Sequence, residues 1–377
     1  MKILAMVGTI LMLAAASAYA QDTVKIGVIT AFTGKYAPLG VGNRNGLLLA
    51  QEKINKEGGI LGKRVELIIH DDEGEPAKSG PLAKKVITED KVVAIIGSTA
   101  VVATHAIAAV TEAARIPHIY PNPAVSIWKG PRAEGRRFSF HTVPANALDA
   151  ERVAEYLTHE LKVKRVGIIY DANEYGTEGN AVLTATLKRI KGPSVVASEK
   201  YQAEDRDLTP VVTKIRNAGA EALVIWGTLP TPAVIVRNAK QIGWNVPVVG
   251  STGLGSPKFI ELAGEAANGV VFTSTLRYGR PLPEEAELFN LHIEKYKTPP
   301  SIFAGFAWDA LFLLKAAMER AGTTTDPIKI RDALENLRGY KGVVGEYNFS
   351  PQNHNGLSTK AIVMIRIKEG KWTPEER

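Results

Sequence analysis

The tetrad His70-Asp71-Asp72-Glu73 places side by side the groups that bind a metal or move a proton. On an extended segment, however, neighbouring side chains point to opposite faces, so the four do not converge on one ion. The tetrad reads instead as a solvated strand end that caps the next helix. Other catalytic signatures are missing. Gly40-Val41-Gly42-Asn43-Arg44-Asn45 has asparagine where a dinucleotide fingerprint needs its last glycine. No Gly-x-Ser-x-Gly elbow and no His-Glu-x-x-His occur. His105 falls on an alanine-rich helix as a polar-face residue. Cysteine is absent, which removes disulfides, thiolate chemistry and a lipid-modified cysteine together. A hydrolase or dehydrogenase is therefore the weaker reading, and no metal or cofactor is expected.

A second set of residues suits holding a small solute. Tyr36 and Leu39 follow the first apolar run, and Gly97-Ser98-Thr99-Ala100-Val101 leads into a helix near Val102. Asn122, Pro123 and Ala124, then Tyr175, then Thr228 and Leu229, then Thr252 follow later runs. Each has a plainer alternative: Ser98 or Thr99 as a helix cap, Tyr175 as packing over a helix entry.

The elements that must position these residues alternate steadily. Apolar spacing predicts strands at 24–30, 65–70, 92–96 and 118–120, with helices at 43–55 and 79–89. A further helix carries the stripe Ala103, Ile107, Val110 and Ala114. The second half predicts strands at 165–170, 194–200, 222–226 and 246–250, between helices at 148–161, 180–190, 208–218 and 233–242. Helices at 283–297, 302–321 and 327–337 and strands at 345–349 and 361–368 complete the chain. Strands joined by helical crossovers make an α/β fold of parallel sheets, whose ligands bind beyond the carboxyl ends of the strands. Every candidate loop above lies at such an end.

The N-terminus bears on location. Lys2, the apolar stretch that follows and Ala18-Tyr19-Ala20 form a cleavable export signal over 1–20, cut before Gln21. That stretch is too short to favour a membrane span. The mature chain is expected in the periplasm with no direct membrane insertion. Its length calls for two lobes. The formal net charge of +7 is spread along the chain, which describes a solvated surface and no nucleic-acid face.

The opening block Val24 to Glu73, Ile95-Ile96-Gly97-Ser98 with its alanine-rich helix, Ile119-Tyr120-Pro121, Ile169-Tyr170-Asp171 with Tyr175-Gly176, and Gly227 before a helix carry a resemblance. Over nearly all of the mature chain they resemble the periplasmic branched-chain amino-acid-binding proteins, the receptors of the corresponding ABC transporters. The resemblance implies a type I binding-protein fold: two Rossmann-like lobes joined by a three-strand hinge, with the ligand cleft between. One lobe would hold 21–142 and 275–357, the other 143–274 and 358–377. It also implies no enzymatic activity, a small-molecule ligand, a monomer, and ABC permease and ATPase partners.

The family's ligand positions transfer unevenly. An aromatic becomes Leu39, the serine that meets the ligand carboxylate becomes Val101, and the next pair becomes Asn122 and Ala124. Tyr175 and Phe303 are kept, while a second-lobe aromatic becomes Thr228. The acidic residue that meets the ligand's ammonium becomes Thr252. A one-residue shift in the glycine-rich turns would bring Ser126 or Ser251 forward instead. Closing a cleft over an unpaired ammonium is costly. The expected ligand is therefore a compact organic acid, aromatic or not, held by hinge closure. The alternatives are a branched-chain or other amino acid, or a sensor role for the same fold.

Overall fold

The computed structural model describes residues 23–129 and 135–375, so the expected export signal lies outside the described residues. The first half runs β1 (Thr23–Thr30), α1 (Ala37–Lys56), β2 (Arg64–Asp71), α2 (Pro76–Thr88), β3 (Ala94–Gly97), α3 (Val101–Ala114), β4 (His118–Tyr120) and β5 (Ser139–His141). These strands form one parallel sheet in the order β2-β1-β3-β4-β5. Helices cover both faces, so β3 is apolar on both sides and Ala94, Ile95 and Ile96 are all buried.

The chain then crosses to a second sheet. It runs α4 (Asn146–Glu155), β6 (Arg165–Asp171), α5 (Glu174–Arg189), β7 (Ser194–Tyr201), α6 (Thr209–Asn217), β8 (Ala222–Trp226), α7 (Thr231–Gln241), β9 (Val248–Gly250), α8 (Pro257–Ala263) and β10 (Val271–Ser274). It returns through α9 (Pro283–Tyr296), α10 (Ile302–Ala321), α11 (Pro327–Glu335) and a hairpin of β11 (Tyr340–Lys341) and β12 (Glu346–Tyr347). A last crossing adds β13 (Val363–Lys368) and β14 (Lys371–Pro374), antiparallel, to the second sheet, whose order is β14-β13-β10-β9-β8-β6-β7.

Three segments thus pass between the sheets, and side chains bind them together. Asn355 donates to the Val143 carbonyl at 2.8 Å and accepts from Ala145 N at 3.3 Å, joining the third crossing to the first. The Ser274 hydroxyl accepts from Leu276 N at 3.1 Å and tightens the second. On the first lobe α10 packs along α1. Gly46 permits this, since a Cβ there would lie 2.0 Å from the Ala304 carbonyl oxygen. That contact sets Leu39 on α1 and Phe303 on α10 at one edge of the cleft.

Several elements differ from the sequence reading. Helix α1 starts at Ala37, six residues before the spacing predicts, and α5 starts at Glu174, well before residue 180. The helix read over 148–161 is α4 from Asn146, followed by a wider π turn, Tyr156–Glu160. Strands β5, β10 and β14 and helix α8 were not predicted; all are short.

Candidate functional site

The loop that carries Tyr36 is tied down by the acidic tetrad. Asp71 accepts from Phe32 N (2.9 Å), the Thr33 hydroxyl (2.7 Å) and Glu73 N (3.0 Å). Asp72 accepts from Gly74 N and the Ser79 hydroxyl, each at 2.9 Å. The expectation of a solvated strand end fails for Asp72, which is buried because these donors replace water. Tyr36 and Leu39 consequently sit at the start of α1 facing the cleft, where Pro38 presets the first turn.

At the carboxyl end of β3 the chain turns into α3. This helix has no side-chain cap and no acidic residue in its first turn. The N–H groups of Val101, Val102 and Ala103 therefore have no helical partners, and the positive end of the helix dipole faces the pocket that Val101 and Val102 line. Thr99 lines the pocket too, but its hydroxyl accepts from Asn43 Nδ2 (2.8 Å) and is paired with the Thr30 hydroxyl (2.5 Å). Ser98 does not reach the pocket, contrary to expectation. It is fully buried behind the turn, where its carbonyl accepts from Asn122 Nδ2 (3.0 Å) and the Thr104 hydroxyl (2.9 Å).

Asn122 borders the pocket with its amide already in use: it also donates to the Thr104 hydroxyl (2.8 Å) and accepts from Ala124 N (3.1 Å). Ala124 is the second departure from expectation. It lies outside the pocket, packed with Val101, Ile127 and Trp128, and its carbonyl accepts from the Tyr120 hydroxyl (2.8 Å). Phe303 lines the same wall and is joined by Phe306, one turn further along α10, edge-on at 5.9 Å.

Tyr175, Thr228 and Thr252 line the pocket from the side of the second sheet. Asn173 caps α5 by accepting from Gly176 N (3.0 Å), which fixes Tyr175 in the first turn. The Tyr175 hydroxyl donates to Ser251 Oγ (2.9 Å) and accepts from Gly253 N (3.2 Å). Burial raises its pKa, so it acts as a neutral phenol.

Thr252 is not a bare neutral wall. Its hydroxyl (2.5 Å) and its N–H (3.1 Å) both donate to Oδ2 of Asp149, a residue of α4 that lines the pocket. Asp149 Oδ1, shielded from solvent, has no hydrogen-bond partner among the described residues, and neither has Oδ1 of Asn146 one turn earlier. Burial raises the Asp149 pKa, while hydrogen bonds from Thr252 and Thr273 oppose the shift. Glu174 is a second pocket carboxylate. The expectation of a cleft without negative counter-charge is thereby corrected. Thr252 itself is neutral, and a carboxylate from a different element lies behind it. The sequence signal was the pair Asn146 and Asp149, which share one helical face three residues apart just past the first crossing; reading that helix from residue 148 hid it.

The space between these walls, part of it open to solvent, amounts to about 690 Å³ not filled by protein atoms. Its walls are mostly apolar, with donors on the α3 side and acceptors on the α4 side.

A family model described as periplasmic binding protein matches residues 23–371. The leucine-, isoleucine-, valine-, threonine- and alanine-binding protein of Pseudomonas aeruginosa is 27% identical over 318 residues, covering 84% of this chain and 83% of its own. Among solved structures, a leucine-binding protein from Thermotoga maritima superposes with a TM-score of 0.85 at 25% identity, covering 94% of this chain and 98% of that one. The branched-chain amino-acid transporter substrate-binding protein of Streptococcus pneumoniae, in complex with isoleucine, gives 0.83 at 26% identity, covering 93% and 98%. With its two parallel-sheet lobes and a cleft at the strand ends, the chain belongs to the periplasmic branched-chain amino-acid-binding protein family, the non-enzymatic solute-binding components of ABC transporters.

Proposed function

We propose that this chain is a periplasmic receptor for a small α-amino acid with an apolar side chain, delivered to a membrane permease and its ATPase. One observation carries the reading: the pocket has opposite polarity at its two ends. Unpartnered N–H groups of α3 suit a carboxylate, and Asp149, with an open Oδ1, suits an ammonium. Between them Leu39, Val101, Phe303 and Phe306 suit an aliphatic side chain. An organic acid without an amine would leave Oδ1 of the buried Asp149 unpaired, with only the bonds to its other oxygen to offset burial. The relatives' names support the same class of ligand.

In this reading the ligand first meets the lobe formed by 21–142 and 275–357, at Tyr36, Leu39 and the turn at Thr99–Val102. Rotation about the three crossings then brings down Tyr175, Thr228 and Thr252 from the lobe formed by 143–274 and 358–377. The closed shape is what the permease would recognise.

The test is a thermal-shift and calorimetry panel of leucine, isoleucine and valine against benzoate, cinnamate and 4-methyl-2-oxopentanoate, which keeps the leucine skeleton without the amine. The amino acids should raise the melting temperature by mass action and the acids should not. The reverse pattern would return the ligand to the organic acids.

Tyr175→Phe gives a finer check. It keeps the ring against Trp226, at 6.4 Å between centroids, and removes the hydroxyl held between Ser251 and Gly253. A hydroxyl so held that also accepts from the ligand would add about 1 kcal/mol to binding, so its loss should raise the leucine Kd roughly fivefold, read by calorimetry. An unchanged Kd would remove that hydroxyl from the site.

A further inference from the structure

His105 and Ser126, set aside in the sequence reading as a polar-face residue and a fallback ligand, meet Glu174 where the two lobes touch. Ser126 lies in a single turn after β4, His105 in the second turn of α3, and Glu174 at the first position of α5 beyond β6. The first two belong to the lobe of the first sheet and the third to the lobe of the second. Ser126 Oγ donates to Glu174 Oε1 at 2.5 Å. His105 Nε2 stands 3.2 Å from Ser126 Oγ and 3.6 Å from Glu174 Oε1. The His105 and Glu174 side chains are only 17% and 27% exposed.

The trio has the composition of a nucleophile triad but not its order. A triad runs from serine to histidine to carboxylate, with the acid orienting the far ring nitrogen. Here the carboxylate takes the serine proton itself and lies on the same side of the imidazole as the serine. A serine held this way is a poor nucleophile and a good fastener.

We propose that Glu174, Ser126 and His105 form a latch between the lobes that stabilises the closed cleft without touching the ligand through Ser126. Ser126 does not border the ligand pocket; it lines an outer groove beside it, and Glu174 borders both. A contact made only when the lobes meet raises the population of the closed state. Apparent affinity scales with that population, so the latch adds affinity for any ligand the cleft accepts. Its bond runs from a hydroxyl to a carboxyl group that is partly shielded from water. The inference rests on the hinge-closure reading above and is independent of which solute is bound.

The test uses Ser126→Ala and Glu174→Gln, singly and together, in the full mature chain. Because the protein has no cysteine, spin labels can be placed at exposed Lys84→Cys and Lys188→Cys, one on each lobe. Leucine is the kinetic probe. Ser126→Ala should shift the ligand-free inter-lobe distances toward longer values. It should also raise the leucine Kd about tenfold, almost entirely through faster dissociation. The double variant should be little weaker than the weaker of the two single ones, since Glu174→Gln, whose amide oxygen still accepts, can only weaken a bond that Ser126→Ala removes. Unaltered distances in Ser126→Ala, additive losses, or a loss seen only as a lower unfolding midpoint would each overturn the latch. If leucine fails to bind even the wild type, the ligand reading fails while the distance measurement still decides the latch.

Discussion

Asp149→Asn is expected to weaken leucine binding at least about a hundredfold, because removing one partner of a buried charge pair costs about 3–5 kcal/mol. The substitution preserves size and leaves an amide oxygen for the two donors of Thr252, so the α4 turn keeps its anchor. What it removes is the negative charge beside the unpartnered Oδ1, and an amide N–H there would repel an ammonium. A matched control separates charge from shape: 4-methylpentanoate, leucine without its amine, should bind the variant no worse than the wild type. Acidity gives a second readout. Burial raises the Asp149 pKa above the usual carboxylate value, and an ammonium ligand favours the ionised form. Wild-type affinity should therefore fall as the pH drops toward that raised value, whereas the variant should lack this dependence. A variant that binds leucine like the wild type, by calorimetry at pH 7, would sink the assignment of Asp149.

The residues that misled the sequence reading share one physical cause. Apolar spacing places the starts of α1 and α5 at residues 43 and 180, beyond Gly40 and Gly42 in the one and Gly176 and Gly179 in the other. In the structure these glycines lie inside the first two turns of both helices, where they let the backbone approach its neighbours. A Cβ on Gly40 would lie 1.7 Å from the Ala31 carbonyl oxygen, and one on Gly179 would lie 2.0 Å from the Trp226 indole nitrogen. Tight entry of each helix over a strand end is what places Tyr36, Leu39 and Tyr175 at the cleft. The rule that loops beyond parallel strands hold the ligand recovered most of the pocket-lining residues. It could not recover Asp149, which comes from a helix reached through the first crossing. Ser98 and Ala124 were misplaced for the converse reason: turns at strand ends point half their side chains back into the lobe.

Between pH 4.5 and pH 8 the wild type should lose about 3 kcal/mol of stability relative to an Asp309→Asn variant. Asp309 lies buried on α10, where it accepts from Val343 N and Val344 N at 2.9 Å and from the Tyr347 hydroxyl at 3.0 Å. The same hydroxyl stands 3.2 Å from the Thr142 carbonyl on the first crossing. One phenolic proton cannot serve two acceptors. A protonated Asp309 resolves the conflict by donating to Tyr347, which then donates to Thr142. Burial pushes the Asp309 pKa up to about 7 from an ordinary 3.8, against the pull of the two N–H groups and Tyr347. A folded-state pKa above the unfolded one means stability that is complete below about pH 4 and lost as the pH rises to about 7. Two buried histidines act in the opposite sense. Burial lowers His118 to about 4 and His141 to about 3, so their contribution is present above the ordinary value of 6.5 and is lost on acidification. The wild-type curve alone mixes these trends, and only the difference from the variant isolates Asp309. Urea unfolding of both proteins at pH 4.5, 6 and 8 measures it. A difference that stays flat across that range would show that Asp309 keeps its charge in the folded chain, and with it a Tyr347 proton that Thr142 cannot claim.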